Sequence, residues 1–332
     1  MRCTGWDYRK PWIYMITLVL RDRSKPLFGN VVIDKFSDSP EEIQAHLSPS
    51  ALGTSIFKCW QELPVYHPEV SPLYLQLMEE HLHFIIQIKQ RLVKPLGNII
   101  GGFKGDCTKL YRSLFNTEDS LFEQGFQDTI LMHNDQLKRM FAYLKDNPRR
   151  LAVKRLFPEL FHINHSIPFP PGHLCGVGNH FLLDAPRFHQ IQISNSMALD
   201  SATFKQAQDA LWNAYYGGAV AVSPCISKGE KELAHTAFEE KMPLIVLRNN
   251  LFPKLYKPTG KYFDACANGR LLMIAPPGFG YIPGHRELTR NQACVLNTIA
   301  QRICKDDAKP IVYHRKIPDN LELLVNQSLQ TN

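Results

Sequence analysis

The sequence predicts an α+β domain followed by an α/β domain. Three observations lead there. The chain has 332 residues, beyond the roughly 100–200 residues of a single typical domain. In its first half, strand-like runs come in neighbouring groups separated by amphipathic helices. In its second half, strands and helices alternate. That division gives a first domain over residues 1–161, a linker over 162–187, a second domain over 188–316 and a loosely ordered tail over 317–332.

The first half reads in order as follows. Residues 12–20 (WIYMITLVL) are rich in β-branched and aromatic side chains, the signature of a buried strand. Arg2, Arg9 and Lys10 precede this run, as in a signal peptide. It contains Tyr14 and Thr17, ends at Arg21-Asp22-Arg23 and shows no small-x-small cleavage site, so a strand is the better reading. A second strand is expected from Asn30 to Asp34, then a turn at Ser37-Asp38-Ser39-Pro40. A helix follows from about Ser50 to Glu62. Strands are expected at 72–78 and 81–88, joined at Glu79-Glu80. Lys94-Pro95 opens a helix to about Leu114, whose Leu96, Ile99, Ile100, Phe103, Cys107 and Leu110 keep helical spacing. After a strand at 126–132, Asn134 or Asp135 can cap a helix over roughly 136–146, disturbed by Pro148. This order fits an antiparallel sheet with helices packed on one face, a sandwich of ferredoxin-like kind.

Residues 162–190 read as loop because Pro168, Pro170, Pro171, Gly172, Gly176 and Gly178 crowd there. Beyond them come a strand at 188–193, a helix at 201–215, a strand at 219–223, a helix at 228–241, strands at 243–248 and 271–275, and a helix at 288–304. Such alternation argues for an open, mostly parallel sheet.

Composition excludes several classes. Hydrophobic residues are 44% and charged residues 21%, which rules out wholesale disorder. Gly and Pro follow no period, and no repeat of 20–50 residues occurs. The net charge of +7 is compatible with a polyanionic partner without identifying one. Eight cysteines (Cys3, Cys59, Cys107, Cys175, Cys225, Cys266, Cys294 and Cys304) form no C-x-x-C pair, so reduced, mostly buried thiols in a cytosolic protein are expected. No apolar run approaches the ~18 residues that span a membrane.

Three clusters carry chemistry. In a strand, His81 and His83 point to one face and Leu82 to the other, so two imidazoles sit side by side. Such a pair can bind a divalent metal once a third ligand is supplied. It is also what two polar positions on a half-solvated strand look like. On a helix, Tyr143 and Asn147 are neighbours at i and i+4. A phenol beside a carboxamide can serve as nucleophile and metal ligand, although a phenol of pKa ~10 needs assistance near neutral pH. A packed Tyr and an Asn helix cap give the same pattern. Finally, Arg149, Arg150, Lys154 and Arg155 lie within seven residues with no acid among them. They would make a phosphate-binding edge beside Tyr143, with Lys104 as a weaker addition.

The conjunction of these features carries a family resemblance. Residues 8–155 resemble the single-tyrosine HUH transposases, in particular the REP-associated tyrosine transposase branch. The matching segments are Tyr74 to Phe84 with its His81-Leu82-His83, the helix from Leu96 to Lys104, and Tyr143 to Pro148. The family has Pro-Asn or Pro-Asp before its first histidine, where this chain has Glu79-Glu80. The resemblance implies that His81, His83 and Asn147 bind Mg²⁺ or Mn²⁺ and that Tyr143 attacks a phosphate of single-stranded or hairpin DNA, becoming linked to the 5′-phosphate. It also implies a bacterial, DNA-associated, cytoplasmic protein, with a homodimer as one candidate assembly and no membrane partner.

The second half resembles, less specifically, the Rossmann-like domain of DNA-processing protein A. The likeness lies in Gly217 to Glu230 and Pro243 to Arg248. Ser223, Ser227 and Gly229 link a strand to a helix, where backbone N–H groups can receive an anion. Ser227 and Glu230 also spell a capping box, and both can hold.

Together these readings predict a metal-dependent, transposase-like enzyme that cleaves and rejoins single-stranded DNA through Tyr143. The alternative is a domesticated hairpin-binding protein without transposition activity. A two-histidine phosphoesterase would need a second H-x-T or H-x-S strand, and none is suitably placed.

Overall fold

The computed structural model describes residues 5–284, 287–308 and 317–330. The chain divides into two compact units, residues 1–38 with 42–155, and residues 39–41 with 156–332.

The first unit contains β1 (Ile13–Val19), β2 (Gly29–Lys35), β3 (Gln44–Pro49), α1 (Ala51–Gln61), the short α2 (Leu63–Tyr66), β4 (Val70–Leu77), β5 (His81–Ile88), α3 (Leu96–Phe115), β6 (Gln127–Ile130) and α4 (Asn134–Leu156). Its main sheet has the order β4-β5-β1-β6. Every neighbouring pair is antiparallel. β2 and β3 form a separate two-stranded sheet. β3 was not expected, because Gln44-Ala45-His46-Leu47-Ser48-Pro49 is mostly exposed and lacks an apolar period.

The two faces of the main sheet are covered by different helices. On one face, Tyr14, Ile16 and Leu18 of β1 and Leu82, Phe84, Ile86 and Ile88 of β5 pack with Leu52 and Ile56 of α1 and Ile99, Ile100 and Phe103 of α3. On the other, Ile13, Met15, Tyr74 and Ile85 cluster with Leu137, Met140, Phe141 and Leu144 of α4. Helices therefore pack on both faces rather than one. The cause is local: Ile13, Met15 and Ile85 make an apolar patch on the face that also carries the histidines, and α4 covers it.

α4 also runs ten residues past its expected end at 146. Pro148 lies inside it. A proline there removes one i→i−4 bond and costs ~3 kcal/mol. Leu144, Ala152 and Val153 are buried on both sides of it, and that burial outweighs the break. The side chain of Asn134, one of the two expected caps, lies outside the described residues.

The second unit contains β7 (Asn164–Phe169), β8 (Gly172–Gly178), β9 (Phe188–Gln190), α5 (Ala202–Tyr216), β10 (Val220–Ser223), α6 (Lys228–Glu239), β11 (Leu244–Leu247), α7 (Lys261–Ala267), β12 (Leu271–Ala275), α8 (Arg290–Cys304) and α9 (Leu321–Ser328). Its sheet order is β7-β8-β12-β11-β10-β9. β9 to β12 are parallel, while β8 and β7 add an antiparallel edge. Val222, Ile245, Leu272 and Ile274 pack under Val295, Leu296 and Ile299 of α8.

Two expectations for this half are corrected. The 162–187 segment is not a linker, since it holds β7 and β8 of the sheet. Its glycines read as loop residues, yet they permit close packing. A Cβ on Gly176 would stand 2.6 Å from Ile167 Cδ1 and 2.9 Å from Ile274 Cγ2. The tail is not loose either. α9 buries Val325, and Leu329 beyond it is buried too, in the core that α8 also fills. Leu321, Leu324, Val325 and Leu329 keep a helical period too short to stand out in the sequence. Of the described cysteines, all seven are free, and Cys59 and Cys225 alone are half-buried rather than buried. Cys3 lies outside the described residues.

Candidate active site

His81 and His83 open β5 and sit on the face that α4 covers. Alternation puts Leu82 and Phe84 into the opposite core, leaving the imidazoles on the face of Ile85. Their ring centroids are 4.8 Å apart at 76°. Pairing with β1 sets His81 opposite Val19 and His83 opposite Thr17. The Thr17 hydroxyl lies 2.8 Å from His83 Nδ1, which leaves Nε2 as the ring nitrogen open to another partner.

Burial keeps both rings neutral. Desolvation, with the nearby Arg23 charge second, lowers His81 to about 4. Desolvation, with His81 second, lowers His83 to about 3. Each neutral imidazole keeps one ring nitrogen with a lone pair near neutral pH, the form in which histidine can ligate a cation.

Two contacts fix α4 along this face. Near its start, the Phe141 ring meets Tyr74 edge-on at 5.6 Å. Tyr74 pairs with Ile85 across the β4–β5 ladder. At its end, Arg155 grips the Glu79 carboxylate at 2.8 and 2.5 Å. Between them, Asn147 is 8% exposed. No hydrogen bond from its carboxamide occurs among the described residues. Its amide atoms are not among the buried polar atoms that lack a partner, so they reach solvent at the surface of the helix. Tyr143 sits on the flank of the packed stripe and is 41% exposed. The Arg150 guanidinium lies 5.6 Å from its ring centroid. Its hydroxyl has no hydrogen-bond partner among the described residues.

The expected basic edge is largely engaged within the fold. Arg149 and Arg150 both bind Asp146. Arg155 is held by Glu79. Lys104 donates to the carbonyls of Glu123 and Gly125, 2.6 Å each. These residues lie inside α3 and α4 rather than on a free strand of chain, so helical i,i+3 and i,i+4 spacing brings Asp146 onto Arg149 and Arg150. Lys154 shares the last turns of α4.

A metal fits this set with one condition. Among the described residues no three His, Cys, Asp or Glu side chains gather to hold an ion. A third ligand must therefore be of another type, and the unpartnered Asn147 amide is one. Two imidazoles and a carboxamide suit Mn²⁺ better than Mg²⁺, which favours all-oxygen shells.

The expected anion site of the second unit is filled by the protein itself. The Glu230 carboxylate accepts from the backbone N–H groups of Ile226, Ser227 and Ile193. Ser227 and Glu230 complete the capping box of α6. Ser223 Oγ accepts from Cys225 N. Gly229 is there for packing: a Cβ would stand 2.4 Å from Ile193 Cγ2. The loop geometry was legible, but its ligand is internal. Thr17 and Glu79 were not expected in the site. The signal for Thr17 was an aliphatic hydroxyl within an otherwise apolar strand.

No family model matches the chain. An uncharacterised Haemophilus influenzae protein is 23% identical over 168 residues, covering 45% of this chain and 86% of its own length. A REP-associated tyrosine transposase bound to a REP hairpin overlays with a TM-score of 0.31 and 13% identity, over 45% of this chain and 73% of that one. DNA-processing protein A of Helicobacter pylori, described as binding single-stranded DNA, overlays with a TM-score of 0.30 and 18% identity, over 52% of this chain and 90% of that one. Both scores are low. Among the described residues no helix is long and apolar enough to cross a membrane.

Proposed function

We propose that the first unit is a metal-dependent strand transferase for single-stranded or hairpin DNA, with Tyr143 as nucleophile and His81, His83 and Asn147 as metal ligands. The observation that carries this reading is the seating of α4 on the histidine face. From Phe141 to Arg155 the helix rises about 21 Å at ~1.5 Å per residue. From Ile85 to His81, where β5 begins, the strand side spans about 13 Å at ~3.3 Å per residue, and the turn carrying Glu79 lies beyond it. The helix is thus long enough to run along this stretch of β5 and reach the turn that carries Glu79. On that scale Asn147 falls about 9 Å beyond Phe141, level with positions 81–83 of β5. This supports convergence of the amide and the two imidazoles.

The chemistry follows from the groups. When bound, the metal polarises the scissile phosphate. The Tyr143 oxygen forms a bond to phosphorus while the P–O3′ bond breaks. The proton lost by the phenol is balanced by one gained at the 3′ oxygen. The product is a 5′-phosphotyrosine and a free 3′-hydroxyl. Attack by a 3′-hydroxyl on that linkage rejoins DNA and restores the phenol. Arg149 and Arg150 carry two positive charges against the single charge of Asp146, so the helix keeps a net positive charge beside Tyr143. That charge attracts a phosphate and stabilises a developing phenolate. The second unit would assist in binding DNA or a partner.

The test is incubation of the protein with end-labelled hairpin and single-stranded DNA and Mn²⁺ or Mg²⁺, followed by denaturing electrophoresis. A protease-sensitive shifted band that His81→Ala abolishes is expected. DNA binding without any such band would instead favour a hairpin-binding protein that has lost the reaction.

A further inference from the structure

The turn before the histidines departs from the motif it resembles, and it is tied into the fold on three sides. Met78 N–H donates to the His81 carbonyl at 2.8 Å, closing the turn. The Glu79 and Glu80 carbonyls accept from Phe28 and Leu20. The Glu79 side chain, 12% exposed, accepts the Val31 N–H at 2.9 Å and binds Arg155 with both oxygens. One carboxylate thus joins the β2 hairpin, the β4–β5 turn and the last turn of α4.

We propose that Glu79 is a positioning residue that holds α4 in register over His81 and His83. This rests on the reading of Tyr143 and Asn147 as members of the site. Arg155 follows Leu144 by eleven residues, which at ~100° per residue is three turns and about 20°. The ion pair and the buried Leu144 therefore lie on one stripe. The apolar contacts of Leu144, Ala152 and Val153 hold the helix against the fold without setting a direction. Contacts at both ends fix its axial position and its azimuth. Asn147 lies between them, and Tyr143 lies one residue before Leu144. Without the pair, the last turn of α4 keeps the burial of Ala152 and Val153 but loses its directional anchor, and a shift of ~1 Å is enough to spoil in-line attack. The bidentate geometry matters, since two parallel bonds set direction as well as distance.

The experiment compares Glu79→Gln, Arg155→Gln and the exchanged pair Glu79→Arg with Arg155→Glu. Glutamine keeps an acceptor for Val31 N–H and removes the ion pair. Three readouts are taken on the full chain: Mn²⁺ affinity by calorimetry, the ¹⁹F spectrum of fluorotyrosine placed at Tyr143, and adduct formation at saturating single-stranded DNA. We expect each single variant to lose at least about tenfold in Mn²⁺ affinity and to broaden or split the ¹⁹F resonance. Adduct formation should fall at saturation while half-saturation is unchanged, and the exchanged pair, which restores the ion pair but not the acceptor for Val31 N–H, should recover part of each loss. Unchanged Mn²⁺ affinity and an unchanged resonance in Glu79→Gln would overturn the proposal. So would an Arg155→Gln defect that more DNA overcomes, since that describes a phosphate contact. If the unaltered protein forms no adduct, the functional reading fails, while the ¹⁹F arm still decides the role of Glu79.

Discussion

Leu144→Ala tests the seating of α4 most simply. Leu144 is fully buried. It lies in the cluster formed by Ile85, Leu131, Met140 and Phe141. Removing three carbons from such a site costs ~2–5 kcal/mol, transfer and cavity terms together. The cluster is small and one side of it is a single helix, which can settle inward, so about 3 kcal/mol is expected. Urea unfolding followed by tryptophan fluorescence is a suitable assay. Trp6, Trp12 and Trp60 lie in the first unit and Trp212 in the second, so the signal reports mainly on the unit concerned. Lys145→Ala, exposed on the next position of the helix, is the control and should change stability by less than ~0.5 kcal/mol. A Leu144→Ala loss below ~1 kcal/mol, or one no larger than the control, would refute the packing of α4 on the histidine face.

Tyr143→Phe should leave stability within ~0.5 kcal/mol by thermal melting, because the hydroxyl has no hydrogen bond to lose. His81 and His83 have folded pKa values of about 4 and about 3, below the unfolded value near 6.5. The unfolded chain therefore binds more protons, and stability present above pH ~6.5 is lost as pH falls toward those folded values. From pH 6.5 to 5 each histidine should cost on the order of 1–2 kcal/mol with chelator present. His83→Gln should flatten that slope, and an unaltered slope would show that the rings do not titrate this way. In the second unit, Glu230→Ala strips the acceptor from three backbone N–H groups. It should lower that unit's stability by ~2–3 kcal/mol by calorimetry, whereas a neutral result would place those N–H groups on water.

Much of the fold was legible because it rests on local periodicity. The run from Trp12 to Leu20 and the alternation of His81 to Ile88 read correctly as strands, as did the helical spacing from Leu96 to Leu110. What failed depends on tertiary packing. Gly176 and Gly178 look like loop residues until β7 and β12 are seen against them. Pro148 looks like a stop until Ala152 and Val153 are seen buried beyond it. β3 has little apolar signature because most of its residues are exposed and Leu47 carries its packing against the core. At the site, the side-by-side histidines and the i,i+4 relation of Tyr143 and Asn147 followed from element geometry alone. The Ser227–Glu230 capping box was legible too, whereas Asp146 pairing with two arginines and Glu79 gripping Arg155 were not. In each case the question was which charges neutralise one another, and charge counting within a window does not reveal a partner on another turn or element.

The most direct test of the central claim is the identity of the residue that becomes linked to DNA. The protein is incubated with single-stranded hairpin DNA and Mn²⁺, digested with nuclease and protease, and the nucleotide-bearing peptide is sequenced by mass spectrometry. The account predicts a single phosphotyrosyl linkage at Tyr143. A linkage at Tyr8, Tyr14, Tyr66, Tyr74 or Tyr111, or a serine-linked nucleotide, would contradict it.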